Sequence, residues 1–328
     1  MPSKALTVAP PQAITSDADV NALFSEWQNV LRKRVGSGEI SSTTLTTYVI
    51  GMRKFLAWHD AERFGDQVND DLIRDWKIAL RDAGRKPGAI NTWLSGVRAF
   101  FSWAVGAHHL FYNPSIGVAG AKRSRTSKHK REALTDDEMV RIFEVLRQNS
   151  DTPIGKRDRA IIMLMAYTGA RTVEVYRADF KGLRTESGNL VLDVQGKGHG
   201  EADQILVIWD TEASSAMRDW VASRGNFPGP LFVALSHNAK NTRLSLRYIR
   251  HLVKRKYRLA GVVGNKTTHS LRHTAITSAI KHGAPVEKTQ AMARHANVST
   301  TFIYVHETDR VQNPAEAFIH YGSKEDEQ

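Results

Sequence analysis

The sequence predicts a mainly α-helical protein of two domains with one small antiparallel β-sheet. Three observations carry that expectation. Apolar residues recur at helical spacing through residues 17–118 and again through most of residues 134–328. Only two runs, "NLVLDV" and "QILVIWD", are rich in β-formers, and the "QGKGHGEAD" between them reads as a hairpin with a Gly-rich turn. A basic stretch over residues 119–133 separates the two helical parts.

The elements follow in chain order. Residues 1–16, rich in Pro, Ala and Ser, read as a flexible tail. Residues 17–118 read as an all-helical domain. Its first helix carries Val20, Leu23, Phe24, Trp27 and Leu31, and its second Leu45, Tyr48, Met52, Phe55 and Leu56. A third carries Leu72, Ile73, Trp76 and Leu80. The fourth, "INTWLSGVRAFFSWAV", places Ile90, Trp93, Leu94, Val97, Phe100, Phe101 and Ala104 on a 3.6-residue period. These aromatics read as core rather than as platforms for stacking bases. A proline turn in "YNPS" closes the domain.

The linker holds Lys122, Arg123, Arg125, Lys128, Lys130 and Arg131, with no acid among them before Glu132. It is either an ordinary solvated loop or a segment suited to track a phosphate backbone. The second domain, residues 134–328, opens with a capping box of Thr135 and Glu138. A buried apolar helix is expected over 157–167, broken at Thr168-Gly169, with a shorter helix starting near Arg171. After the hairpin, helices are expected near 211–223, 242–260, 269–282, 286–293 and 298–305. A last one starts at Asn313-Pro314, an N-cap followed by proline at the first helical position.

Composition narrows the partner. The chain has 328 residues, 41% hydrophobic and 24% charged, which is ordinary for a globular protein. The net charge of +12 is not ordinary and points to a polyanion, nucleic acid or an acidic membrane surface. No apolar run is long enough to span a bilayer, and the N-terminus lacks the apolar core of a signal peptide. Cysteine is absent, so no disulfide, thiol nucleophile or Cys-based metal site is available. A cytoplasmic protein with a nucleic-acid partner fits these features.

The stretch "THSLRHTAIT" raises a chemical question. A helix capped by Thr267 or Thr268 and closed at Gly283 puts His269, Arg272 and His273 on one side of its first turn, at the edge of an apolar stripe of Ile276 and Ile280. The free N–H groups and dipole of a helix start already favour an anion there. Added arginine and imidazoles suggest a pocket for a phosphate or another oxyanion. Zinc fits poorly, because the glutamate of H-E-x-x-H is missing and the arginine would repel the metal. An exposed first turn with ordinary hydrogen bonds remains the plainer alternative.

Four separated patches resolve the choice. "TGARTVEV" supplies Arg171 and, one turn on, Glu174; "QGKGHG" supplies Lys197 at a hairpin tip; "HSLRH" supplies His269 and Arg272; "ARHANVSTTFIYVH" supplies His295 and, nine residues on, Tyr304. Each alone is weak. In this order and spacing they resemble the tyrosine recombinase family, also called phage integrases, of the simple Xer- or Cre-like two-domain type. "STTLTTYVIGMRKFLAW" and "INTWLSGVRAFFSWA" resemble its helical core-binding domain, and the chain from about residue 134 its catalytic domain.

That resemblance implies a site-specific recombinase that cleaves and rejoins DNA through a 3′-phosphotyrosyl intermediate and a Holliday junction. Tyr304 is then the nucleophile. Arg171 and Arg272 hold the non-bridging oxygens, as arginine forks suit phosphate. Lys197 protonates the leaving 5′-oxygen, His269 acts as acid/base, and His295 hydrogen-bonds the phosphate. Glu174 and His273 support the site, and the basic linker residues bind DNA. A covalent phosphodiester conserves bond energy, so neither ATP nor a metal is expected as cofactor. The implied partners are double-stranded DNA with inverted half-sites, clamped between the two domains, and further copies of the chain, up to a tetramer on DNA.

In one respect the chain departs from the pattern. Many relatives carry a small "LGH" before the second histidine, where this chain has Ala293-Arg294-His295. Arg294 is expected to point away from the site or to add a DNA contact. Rival readings are a type IB topoisomerase or telomere resolvase with the same chemistry, a DNA-binding relative without catalysis, and a metal-dependent nuclease. The last lacks clustered carboxylates.

Overall fold

The computed structural model describes residues 17–62, 69–122, 132–148, 150–195, 203–236 and 241–308. The chain divides into two units, Met1–Lys128 and His129–Gln328. The expected tail, Arg123 to Arg131 of the basic linker, the hairpin tip with Lys197 and the helix from Asn313 lie outside the described residues. No described helix is long and apolar enough to cross a membrane.

The first unit contains α1 (Asp17–Gly36), α2 (Ser42–Glu62), α3 (Asp70–Asp82) and α4 (Pro87–Gly106). Asn69 caps α3 by accepting the Leu72 N–H at 2.8 Å, and two aspartates follow in its first turn. Proline opens α4, where its missing N–H is harmless. The aromatics form the core, as their periodicity implies. Trp27 meets Phe100 edge-on at 5.4 Å, and Phe55 meets Trp76 edge-on at 5.3 Å. Beyond Val118, Asn91 holds both backbone groups of Ala121, accepting its N–H at 2.7 Å and donating to its carbonyl at 3.0 Å.

Helices α2 and α4 touch backbone to backbone. A Cβ added to Gly51 would overlap the Trp93 carbonyl, and one added to Gly96 would overlap the Tyr48 carbonyl. Both glycines are mid-helix, where glycine weakens a helix, so their presence marks the close crossing.

The second unit starts with α5 (Asp136–Arg147), which carries the expected Thr135–Glu138 capping box. Helix α6 (Pro153–Thr168) begins one turn before the expected 157, because Thr152 caps it and Pro153 fits its first position. Ile161 to Met165 are buried in unbroken succession, so α6 runs through the centre of the core. A buried ion pair on this helix, Arg157 Nη2 to Asp158 Oδ1 at 2.9 Å, is completed by Arg255 on the other carboxylate oxygen at 3.0 Å.

After α7 (Thr172–Arg177) comes a three-stranded antiparallel sheet of β1 (Leu183–Glu186), β2 (Asn189–Val194) and β3 (Gln204–Ile208), in that order. Strand β1 extends the two-strand hairpin read from the sequence. It pairs Leu183 with Leu192 and Glu186 with Asn189 through a two-residue turn, Ser187-Gly188, with φ of 48° and 80°. Positive φ at both turn residues matches the right-handed twist of a hairpin. Helices α8 (Thr211–Arg224), α9 (Leu246–Leu259), α10 (Thr268–Lys281), α11 (Val286–Ala293) and α12 (Ser299–Thr308) complete the unit. Helix α9 starts four residues later than expected, because Ser245 caps it and Arg243 still pairs with Val233 in a β-bridge.

The helix crossing gives a first prediction. Gly96→Ala should lower the unfolding midpoint of the first unit, at a cost of about 1–3 kcal/mol for forcing the helices apart. Gly106→Ala, at a position with open space around it, should leave that midpoint unchanged or slightly raised. Denaturant melts of both variants beside the parent check this, and coincident curves for all three would remove the close crossing.

Candidate active site

The site is built where four helices begin or end. Helix α6 stops at Gly169, which takes the left-handed conformation with φ 62°. The chain then turns so that Arg171 becomes the N-cap of α7. Glu174, one turn on and almost fully buried, reaches back to it. It accepts the Arg171 backbone N–H on Oε2 at 2.7 Å and the Arg171 Nη1 on Oε1 at 2.7 Å. The other arm of Arg171, Nη2, donates to the Arg294 carbonyl at 2.9 Å and the Ala293 carbonyl at 3.3 Å.

Arg272 enters from α10 and is only 2% exposed. Its Nη1 donates to the Gly169 carbonyl at 2.7 Å and its Nη2 to the Ala293 carbonyl. Both arginines therefore bind the same carbonyl of α11, among the groups a helix end leaves unsatisfied, where the dipole favours cations. Burial pushes the Arg272 guanidinium down to about 9, with repulsion from Arg171 and Arg294 adding to it.

His295 follows directly after α11. Its Nδ1 lies 2.9 Å from Thr301 Oγ1 and its backbone is held by Gln290. Burial pulls its pKa down from 6.5 to about 4, and Arg272, Arg171, Arg294 and His269 pull the same way. The ring stacks near Tyr304, with centroids 6.2 Å apart and planes at 20°. His273 presents an edge to Tyr304 at 4.8 Å. Tyr304 is 4% exposed, in a small cluster with Ile276 and Ala293 that is separate from the main core. The structure thus brings Arg171, Glu174, Arg272, His273, His295 and Tyr304 together. His269 is exposed on the first turn of α10, close enough for its charge to act on His295. An open cleft of about 720 Å³ is lined by Arg171, Arg294 and His295 together with the acids Asp203 and Glu287.

Arg294 departs from the expectation. It neither points away nor reaches outward for DNA. As C-cap of α11 it adopts φ 53° and ψ 49°, a left-handed conformation costing a non-glycine residue roughly 1–2 kcal/mol. Its side chain turns inward, 5% exposed, and binds Glu174 with Nη2 to Oε2 at 2.9 Å and Nε to Oε1 at 3.3 Å. Burial alone would raise the Glu174 carboxyl, but Arg294 and the Arg171 hydrogen bonds hold it below the usual carboxylate range. Lys266, a neighbour of the site in sequence, is taken up in a largely buried pair with Glu138 at 2.5 Å.

Two basic surfaces were not read from the sequence. Along α9, Arg247, Arg250, His251, Lys254 and Arg258 stand exposed on one side while Ile249, Leu252, Val253 and Tyr257 are buried on the other. The helix contains no acid. Its three-and-four spacing of cations was the available signal. In the first unit, a cleft of about 530 Å³ is lined by Arg74, Lys77, Arg81, Arg85 and Lys122. Burial and repulsion from Arg98 and Arg74 lower the Lys77 ammonium there. Of the linker cations only Lys122 is described, and it is exposed.

Known proteins resemble this chain in sequence and in fold. Residues 132–310 match the profile of the phage integrase family, and residues 26–108 match that of the phage integrase N-terminal SAM-like domain. A curated relative, tyrosine recombinase XerD of Oceanobacillus iheyensis, is 26% identical over 278 residues, covering 82% of this chain and 89% of its own. Among solved structures, the XerH site-specific recombinase bound to palindromic difH substrate superposes with a TM-score of 0.70 at 18% identity, over 92% of this chain and 84% of that one. A lambda integrase tetramer bound to a Holliday junction superposes with a TM-score of 0.63 at 15% identity, over 90% and 84% of the two chains.

The depressed His295 gives a prediction with a definite sign. Its folded pKa of about 4 lies below the unfolded value of 6.5. Between those values the unfolded chain binds a proton that the folded chain does not, so folding stability falls as pH drops through that window. In the DNA-free protein, NMR should find the His295 ring still neutral at pH 5, and His295→Gln should flatten part of the pH dependence of stability. A ring that titrates near 6.5 would contradict the electrostatic picture of the pocket.

Proposed function

We infer the chemistry of this site from its family: the chain belongs to the phage integrases, and it is a tyrosine-type site-specific recombinase that breaks and rejoins DNA. The reading of its residues rests on one observation above the others. Two guanidinium groups from distant parts of the chain converge on the carbonyl of Ala293, beside a histidine whose ring lies against Tyr304.

Tyr304 attacks the scissile phosphorus, and the bond to the 5′-oxygen breaks. A 3′-phosphotyrosyl link forms and a 5′-hydroxyl leaves. Attack adds negative charge to the phosphoryl oxygens, and Arg171 and Arg272 are fixed in advance to meet it. Preorganised donors of this kind need no rearrangement when the charge appears. His295, neutral in the free protein, hydrogen-bonds the phosphate, and His269 serves the tyrosyl proton as acid/base. Lys197 protonates the departing 5′-oxygen. His273 steadies the Tyr304 ring, and Glu174 orients Arg171. Rejoining is the reverse attack by a 5′-hydroxyl, which needs neither ATP nor a metal.

The basic stripe of α9, the cation-lined cleft of the first unit and the 123–131 linker supply the phosphate contacts that place the duplex. Inverted half-sites take two copies, and a tetramer exchanges strands through a Holliday junction in the cytoplasm. The fold shared with a lambda integrase tetramer on such a junction supports that assembly.

Two outcomes test this reading. Tyr304→Phe removes only a hydroxyl, so it should bind target DNA as the parent does and form no covalent adduct with a nicked suicide substrate on a denaturing gel. Adduct formation by the variant would move the nucleophile elsewhere, with Tyr321 next in the chain. The affinity should also fall steeply with salt. Replacing Arg250 and Lys254 by alanine should flatten the slope of log K against log salt by about 0.9 for each phosphate no longer neutralised. An unchanged slope would take α9 off the DNA.

A further inference from the structure

The pocket contains one more cation than the phosphate chemistry calls for. Arg171, Arg272 and Arg294 converge there around a single carboxylate, Glu174. The Arg294 side chain is 5% exposed at the wall of the cleft, and its guanidinium is engaged by that carboxylate. Both oxygens of Glu174 are shared. Oε1 takes Arg171 Nη1 at 2.7 Å and Arg294 Nε at 3.3 Å, while Oε2 takes the Arg171 backbone N–H at 2.7 Å and Arg294 Nη2 at 2.9 Å. Arg294 also holds the carbonyls of Met292 and Gly169, bracing the helix ends that carry the acceptors of Arg272. All this is done from a left-handed backbone position that strains a non-glycine residue.

We propose that Arg294 is a positioning residue for DNA cleavage: it engages the charge of Glu174, so that Arg171 is oriented by that carboxylate without being neutralised by it. The proposal rests on the reading of Arg171 and Arg272 as the phosphate-binding pair. With Arg294 present, the cluster of three guanidiniums and Glu174 carries two net positive charges, beside Asp203 and Glu287 on the cleft wall. Removing Arg294 leaves Glu174 with Arg171 as its nearest cation, and half of that positive charge disappears. The effect bears mainly on the transition state, in which the phosphoryl group carries more negative charge than in the bound ground state.

Arg294→Gly is the informative variant, because glycine accepts the backbone conformation and only the side chain is removed. Single-turnover strand cleavage is measured on two suicide substrates, one with an ordinary scissile phosphodiester and one with a methylphosphonate there. In the second, a methyl group replaces a charged non-bridging oxygen, so less positive charge is required. On the phosphodiester, Arg294→Gly should cleave roughly tenfold more slowly, short of the 10²–10³-fold expected when a group touching the phosphate is removed. The DNA concentration for half-maximal rate should change by about twofold or less, the size of an effect confined to the transition state. On the methylphosphonate the defect should shrink several-fold. Adding Glu174→Gln to Arg294→Gly should restore part of the rate, and Arg294→Lys, which keeps the charge without the fork, should fall between parent and glycine variant.

A defect of equal size on both linkages, or one that Glu174→Gln does not relieve, would reduce Arg294 to a structural part and overturn the proposal. Thermal melts accompany the rates, and if Arg294→Gly does not fold, Arg294→Lys and Glu174→Gln carry the same comparison of linkages. Failure of the parent to cleave either substrate would instead overturn the assignment of the site itself, so the two failures are distinct.

Discussion

A guanidinium group withdrawn from water is stable only where acceptors surround it, and three of them in one pocket impose that condition on every element nearby. Arg272 is the extreme case, buried and held by the Gly169 and Ala293 carbonyls. Those acceptors exist because α6 ends in a left-handed glycine and α11 ends in a left-handed arginine, each exposing carbonyls that a continuing helix would have consumed. Glu174 supplies a full negative charge in direct contact with Arg171 and Arg294. The helix breaks are therefore the means by which a domain built on an apolar core accommodates concentrated positive charge.

Local periodicity made most of the helices legible. The aromatic stripe of α4, the apolar run of α6 and the capping box of α5 lie where the sequence places them, because each is decided by residues within two turns of one another. Strand β1 was illegible for the opposite reason. "LRTE" offers one apolar residue, lies at a sheet edge, and is a strand only because β2 is beside it. Nothing in the sequence marked Gly51 and Gly96, whose role shows only where the two helices cross.

The site divides along the same line. Arg171, Arg272, His295 and Tyr304 were singled out together by their order and spacing in the sequence, and the fold gathers them from four places. Arg294 was misjudged. A charged residue beside a turn ordinarily faces water, and its inward course depends on the backbone angle at the end of α11 and on a carboxylate 120 positions away. The α9 stripe was missed although its signal was local, because a contiguous run of cations in the linker is more conspicuous than the same charge spread over four turns.

The arginines and Tyr304 are anchored differently. Helices α6, α7 and α10 bring the arginines out of the main core, which holds Ile161 to Met165, Ala170, Val175 and Leu271. Tyr304 belongs instead to a cluster whose buried members are itself, Ile276 and Ala293. Among the described residues Tyr304 has few buried apolar neighbours, the pattern that goes with a lower local opening free energy. A receptor for the phosphate needs rigidity, since donors misplaced by about 1 Å lose much of their effect. On the proposed reading of Tyr304 as the nucleophile, a tyrosine that meets the phosphorus, holds a DNA end and then releases it needs the freedom to move. The apolar core is concentrated on the side where precision matters, and the pocket that results carries surplus positive charge that an incoming phosphate can offset.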